Sequence, residues 1–381
     1  MKFLKRIIII VVITLCWTEF YAINTKNYEQ KKAIREHIVR HPDMLPTPAF
    51  AKTTSFWFQN FKADMYWLET IQYIGGNALN SQYKKYLFKI LDLITALNPY
   101  FEAPYVIGEI LIPSSNFRYE NLNDAEQKSY IAQSEQIGLK GIAAFCDMAK
   151  VEKIKKENDL SKLWTDPQYK NPCTSKKIPF YLAFIYYFYK NDPIEASNYY
   201  KVTSAIDDTY EGAKIMAAIM QGKAGNRLTS TFMFLNLAQT VDKEDVSCQA
   251  FVVDLENLSY GLFKKQLTLS GKIIQQLQKA RNQVLGKYDE EEEKTGFWDT
   301  KCSSYANKSV RELNLMYLEN ANEAYKKDHE GVSALWADDL LKWKYIDFSP
   351  TDFQQYKAGY GIEYSYNPDT KKFDYSMGSP K

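Results

Sequence analysis

The chain is predicted to be all-α, a solenoid of stacked helical hairpins ended by a small helix and a β-hairpin. Three observations predict it. Apolar residues recur every three to four positions through most of the sequence, the period of a helix with one buried face. Aromatic residues reach 15%, with 29 Tyr and 21 Phe against only 16 Gly and 13 Pro, which suits interlocking helix faces better than a loop-rich enzyme. The stretch 178–221 reads as helix, short turn, helix and the start of a third.

The elements follow in order. Lys2, Lys5 and Arg6 precede an apolar run over residues 7–17, continued past Thr18 and Glu19 to Ile23. A basic flank before such a run marks a signal sequence or a signal anchor. Ala22 has Phe20 two positions before it, so no small-x-small cleavage site is clear, and Cys16 lacks a lipoprotein setting. The expectation is an uncleaved anchor over residues 1–23, a single pass in the cell membrane with everything after it exported. The alternative is secretion after signal cleavage. Residues 24–54 read as a polar linker with a short helix near 28–39; His37 and His41 within it have Arg neighbours and no third ligand, so they read as solvated.

The repeat region is expected over residues 55–288. A helix with an apolar face is predicted from Ala63 to Ile74 and broken by Gly75-Gly76-Asn77. Tyr83, Leu87, Leu91 and Ile94 place a second helix over 81–97, ended by Asn98-Pro99. A third, 102–112, carries Gly108 where close packing wants a small residue, and a long helix over 124–149 can pair with it. Residues 150–177 are the least regular and are read as an insertion; Lys150, Lys153, Lys155 and Lys156 read as a solvated face because Glu152 and Glu157 interrupt them. Helix pairs are predicted again over 178–203, 211–238 and 245–288, the last helix running from 262 to 288.

In the 178–221 stretch, Leu182, Ala183, Tyr186, Ala196 and Tyr200 alternate small and aromatic residues at helical spacing, around Asn191-Asp192-Pro193. This pattern resembles the tetratricopeptide repeat, and over residues 55–285 the chain is similar to bacterial exported tetratricopeptide-like proteins. That resemblance implies a right-handed solenoid whose inner helices line a concave groove. The C-terminal region, 297–381, is expected to form a cap: a helix over 302–327, a short helix over 333–343, Ser349-Pro350 and Asp352, Gly359-Tyr360-Gly361, and strands over 362–367 and 372–377. This order resembles the globular end of type II secretion pseudopilins.

Composition excludes several functions. Net charge is +2, from 48 basic and 46 acidic residues with no basic stripe, so nucleic acid is not an expected partner. No phosphate-binding glycine loop, serine elbow or zinc-helix motif occurs, and neither Asp207-Asp208 nor Asp338-Asp339 can converge as a dyad, because neighbours on a helix point apart. The acidic run at 289–293 lacks the spacing of a calcium loop. No cofactor, metal or catalytic residue is expected. Four cysteines follow the anchor and allow three connectivities; Cys173 and Cys302, in loop or helix-start settings, are the favoured pair, while Cys146 and Cys248 read equally as buried thiols.

The function expected is that of a membrane-tethered, extracytoplasmic scaffold for a protein or peptide partner in the envelope, in secretion or pilus assembly. The alternative is an envelope binding protein for a small molecule or glycan, to be told apart by an aromatic pocket with convergent polar groups. Tyr66, Gln72, Tyr181 and Lys214, on first helices of hairpins, are the candidate protein-binding residues.

Overall fold

The computed structural model describes residues 13–14, 16–23, 25, 42–78, 83–114, 122–285, 301–352 and 362–377. The described chain is mostly helical, with one small two-stranded sheet, as an all-α reading requires. Among the described residues no helix is long and apolar enough to cross a membrane; residues 1–12 and 15, within the expected anchor, lie outside them. So do the helix expected at 28–39, His37, His41, the acidic run 289–293 and Gly359-Tyr360-Gly361. The chain forms two compact units that meet at 144/145, whereas the sequence reading set 55–288 apart from 297–381.

The first unit holds α1 (Pro48–Thr54), α2 (Gln59–Gly76), α3 (Lys84–Leu97), α4 (Glu102–Leu111) and α5 (Asp124–Phe145). Leu87, Leu91 and Ile94 of α3 are fully buried and Tyr83 nearly so, so the three-to-four spacing identified the core face. Each such aliphatic side chain contributes about 1.5–3 kcal/mol by leaving water. α3 packs against α1, α2 and α4 and stops at Asn98, because Pro99 cannot continue a helix. A Cβ added at Gly108 would lie 2.8 Å from Ile137 Cγ2, so the glycine permits close approach of α4 and α5. Ser134 Oγ donates to the Gly108 and Glu109 carbonyls at 3.4 and 3.3 Å across the same contact.

Glu109 is buried in this unit, and neither carboxylate oxygen has a hydrogen-bond partner among the described residues. Burial pushes its carboxyl well above the usual range. A carboxyl raised in the folded state favours folding less as it is asked to ionise. Stability should therefore fall as pH rises from about 4.3, the unfolded value, toward the raised one. Glu109→Gln is expected to remove that slope and raise stability at pH 7 by about 1–3 kcal/mol. Urea unfolding of both proteins at pH 4.5 and 7.5 measures it; parallel pH profiles would refute it.

The second unit begins with a departure from expectation. The helix predicted over 124–149 stops at Phe145, and α6 (Met148–Lys156) and α7 (Leu160–Thr165) occupy the supposed insertion. The cause is capping. Asp147 accepts from the Ala149 and Lys150 amides at 2.9 and 3.2 Å, and Asp159 accepts from the Ser161 amide at 3.0 Å, so each starts a helix. Lys201, buried in α9, donates to the carbonyls of Lys155 and Glu157 at 2.6 and 2.9 Å and closes the end of α6. Burial pulls its ammonium down to about 8. The lysine face is accordingly only partly solvated: Lys150 donates to the Lys170 carbonyl and Lys155 pairs with Glu195 at 3.2 Å.

The helices α8 (Lys177–Phe188), α9 (Pro193–Ser204), α10 (Glu211–Lys223), α11 (Arg227–Thr240), α12 (Val246–Phe263) and α13 (Gly271–Leu285) follow, each packed on the next. Leu182, Ala183, Tyr186, Ala196 and Tyr200 are all buried, and Tyr186 stacks on Tyr199 at 5.5 Å. In the turn, Asp192 caps the Glu195 amide at 3.1 Å and Asn191 takes φ +52°, a left-handed position that Asn tolerates. The helix expected over 262–288 is shorter, because Lys265 at φ +56° ends α12 and the chain re-enters a helix only at Gly271.

The cysteine expectation is corrected. The bonds are Cys146–Cys173 and Cys248–Cys302, with Cα atoms 3.9 and 6.3 Å apart. Cys173 lies in a short antiparallel bridge opposite Cys146, where α5 ends, so its partner is set by backbone pairing. Cys302 is brought to α12 by the Asp242 carboxylate, which accepts its amide at 2.7 Å.

The C-terminal helix, α14 (Cys302–Asp328), packs deep within the second unit. It packs on α11, α12, α13, α15 (Ala337–Lys342) and β2, and its residues from Cys302 to Leu315 are all buried. The sheet pairs β1 (Ile362–Asn367) with β2 (Lys372–Met377) antiparallel, the two strands the alternation predicted, and sets Tyr364 opposite Tyr375 and Tyr366 opposite Phe373. Tyr364 and Phe373 join Leu315, Leu318 and Leu340 in one apolar cluster.

Candidate functional site

The first unit carries an exposed apolar row on one of its helices. Thr47 Oγ1 caps α1 by accepting from the Phe50 amide at 3.3 Å, and Pro48 fits the first turn. Phe56 at φ +49° then turns the chain sharply into α2. Lys62 Nζ donates to Thr54 Oγ1 at 3.0 Å and ties the two helices. α2 buries Ala63, Thr70 and Tyr73. At 3.6 residues per turn, Phe61, Asp64, Leu68 and Ile71 fall on the opposite side. Phe61 and Leu68 are 65% and 56% exposed, Ile71 is 49% exposed, and Trp57 just before the helix is 95% exposed. Phe50, Phe56 and Phe58, close by in sequence, are also exposed. Large apolar side chains grouped on one exposed side of a helix make that side a candidate interaction site.

The four sequence-predicted residues divide between the units. Gln72 is exposed and lies on the same side of α2 as Leu68 and Ile71. Tyr66 is half-buried on the opposite side, where burial and then Glu69 raise its hydroxyl. In the second unit, half-buried Tyr181 meets Phe180 edge-on at 5.5 Å. Lys214 lies 4.9 Å over the Trp164 ring and pairs with Glu211 at 2.9 Å. No hydrogen bond, ion pair or ring contact joins two of the four among the described residues. Sequence reasoning singled out Gln72 but not the exposed Trp57, Phe61 and Leu68, because a periodic apolar residue reads as core until the tertiary packing leaves it bare.

The second unit contains the densest array of charge, and its geometry is structural. Arg227 donates to Glu312 Oε2 at 3.1 Å, to Glu319 Oε1 at 2.9 Å and to the Phe373 carbonyl at 2.5 Å. Arg311 donates to Asp352 at 2.6 and 3.2 Å, and Tyr364 Oη donates to Asp352 Oδ2 at 3.0 Å. Asn314 Nδ2 in turn donates to Tyr364 Oη at 3.0 Å. Lys223 pairs with Asp374 at 2.9 Å. These bonds fasten α10, α11 and the β-hairpin to α14 with the charges paired off. A Cβ at Gly222 would collide with the Glu312 carboxylate, so that glycine lets α10 reach the array.

The adjacent acidic pairs are separately engaged. Asp207 takes Lys170 at 3.1 Å, Asp338 accepts from Ser349 Oγ at 3.0 Å, and Asp339 caps the Trp336 amide at 3.1 Å. Among the described residues no group of three or more His, Cys, Asp or Glu could hold a metal ion. The aromatic run on α8 is only partly core: Tyr186 is buried, while Phe188 is 56% exposed beside Phe184. Comparison with protein-family models, with curated proteins and with solved structures found no match to this chain.

Proposed function

We propose that this chain is an exported, membrane-tethered helical-repeat scaffold that binds another protein through the exposed face of α2. The observation that carries this reading is the row Phe61, Leu68 and Ile71 on one side of α2, with Trp57 just before it, large apolar side chains left in water. A partner helix with its own apolar stripe fits such a row in the helix-docking mode, and a basic residue on it would meet Asp64. Two disulfides favour an oxidising compartment outside the cytoplasm. The basic flank and apolar run at residues 2–23 would supply the tether. The tetratricopeptide-like, right-handed character of the hairpins remains part of this proposal, supported by the buried small and aromatic positions of α8 and α9.

The test is photocrosslinking in cells from position 61 or 68, followed by capture and mass spectrometry. One abundant envelope protein is expected. Phe61→Glu combined with Leu68→Glu should reduce its recovery at least tenfold while leaving the fold intact, since both side chains are exposed. Undiminished capture by that double variant would remove α2 from the interface.

A further inference from the structure

We propose that the recess between α11 and α12 binds a small protonated primary amine carrying an aromatic or aliphatic body. Its residues all belong to the second unit, so the proposal stands independently of the α2 face. The cavity is about 300 Å³, at the small end of ligand sites. Leu228, Phe232 and Asn236 reach it from one face of α11, and Glu256, Tyr260 and Phe263 from one face of α12. Asp159, at the start of α7, adds a second carboxylate.

The walls are aromatic. Phe232 lies 5.0 Å from Tyr260 and 6.4 Å from Phe263, and the latter two rings are 47% and 67% exposed, so ring faces remain open to an occupant. The polar groups supply acceptors and negative charge. Glu256 Oε2 is held by Gln239 Nε2 at 2.9 Å, and Asp159 Oδ1 is held by the Ser161 amide and hydroxyl at 3.0 and 2.6 Å. In each case the protein orients one oxygen and leaves the other without a hydrogen bond among the described residues. The side-chain amide of Asn236 is likewise unengaged there. The lining contains no Lys, Arg or His.

A ligand must therefore bring the positive charge, donate hydrogen bonds and present an apolar body to the rings. An alkyl- or arylammonium ion does all three: its N–H groups meet the carboxylate oxygens, and the ring faces attract the cation. A neutral alcohol of the same shape lacks the charge, and an anion would face two carboxylates.

Calorimetric titration of the full 381-residue chain with 2-phenylethylammonium, and separately with 2-phenylethanol, tests the assignment. Saturable binding of the amine is expected, at least tenfold tighter than that of the alcohol and weakened by 0.5 M salt. Glu256→Gln should weaken the amine about tenfold without affecting the alcohol, and Tyr260→Ala should weaken both. Because both altered side chains are solvent-accessible, a matching circular dichroism melt establishes that the variants fold. No saturable amine binding, equal affinity for amine and alcohol, or unchanged affinity in Glu256→Gln would each overturn the proposal.

Discussion

Replacing Asp352 by Ala is expected to destabilise the second unit by about 3–5 kcal/mol, the cost of leaving a buried guanidinium without its partner. Asp352 is wholly buried at its side chain and receives two bonds from Arg311, one from Tyr364 and one from Asn307 at 3.3 Å. Burial alone would raise its carboxyl, but the charge and hydrogen bonds of Arg311 outweigh it and hold the group below its ordinary value. A depressed carboxyl contributes stability that is full above the unfolded value, about 3.9, and is lost as pH falls through the folded one. Acid should therefore loosen the hairpin from α14 in the natural chain, and Asp352→Asn should show less of that acid loss. Urea denaturation at pH 7 and pH 3.5 reads both effects. A loss under 1 kcal/mol for Asp352→Ala would mean that Arg311 finds water on its own. The double change Arg311→Met, Asp352→Leu should cost less than Asp352→Ala, because no buried charge is left unpaired.

Removing the Cys248–Cys302 bond by a double serine substitution should cost roughly 4 kcal/mol, and removing Cys146–Cys173 slightly less. The reason is loop length: the bonds close 54 and 27 residues, and the entropy withheld from the unfolded chain grows with the logarithm of that number. The longer loop joins α12 to the start of α14, so its loss should also free the buried helix to leave its site. Urea midpoints of the two double variants, measured without reductant, give the ranking. Peptide mapping under non-reducing conditions checks the pairing itself; a 173–302 linked peptide would contradict it.

Much of the fold was legible because helices announce themselves locally. The spacing of Leu87, Leu91 and Ile94 located the core face of α3, and Asn191-Asp192-Pro193 located the turn between α8 and α9. The alternation on either side of Asn367-Pro368-Asp369-Thr370 located the two strands of the hairpin. Where the reading missed, a local signal was present but underweighted: Asp147 and Asp159 are good caps in a stretch whose charge made it look like a loop. The disulfide pairing had no local signal at all, since it depends on which ends of distant helices meet.

The candidate site divides in the same way. Gln72 could be placed on a helix surface from periodicity, yet nothing in the sequence says that Phe61 and Leu68 are bare while Leu87 and Leu91 are buried. By itself, then, the sequence determined the helical class, most of the helices, the turn at Asn191-Asp192-Pro193, the hairpin and the absence of familiar catalytic motifs, because these depend on residues within a few positions of one another. Only the tertiary structure decided that α14 lies inside the second unit with its charges paired, which cysteines join, and which aromatic rings stay open in the recess between α11 and α12. Those outcomes depend on burial, and burial is a property of elements that are far apart in the chain.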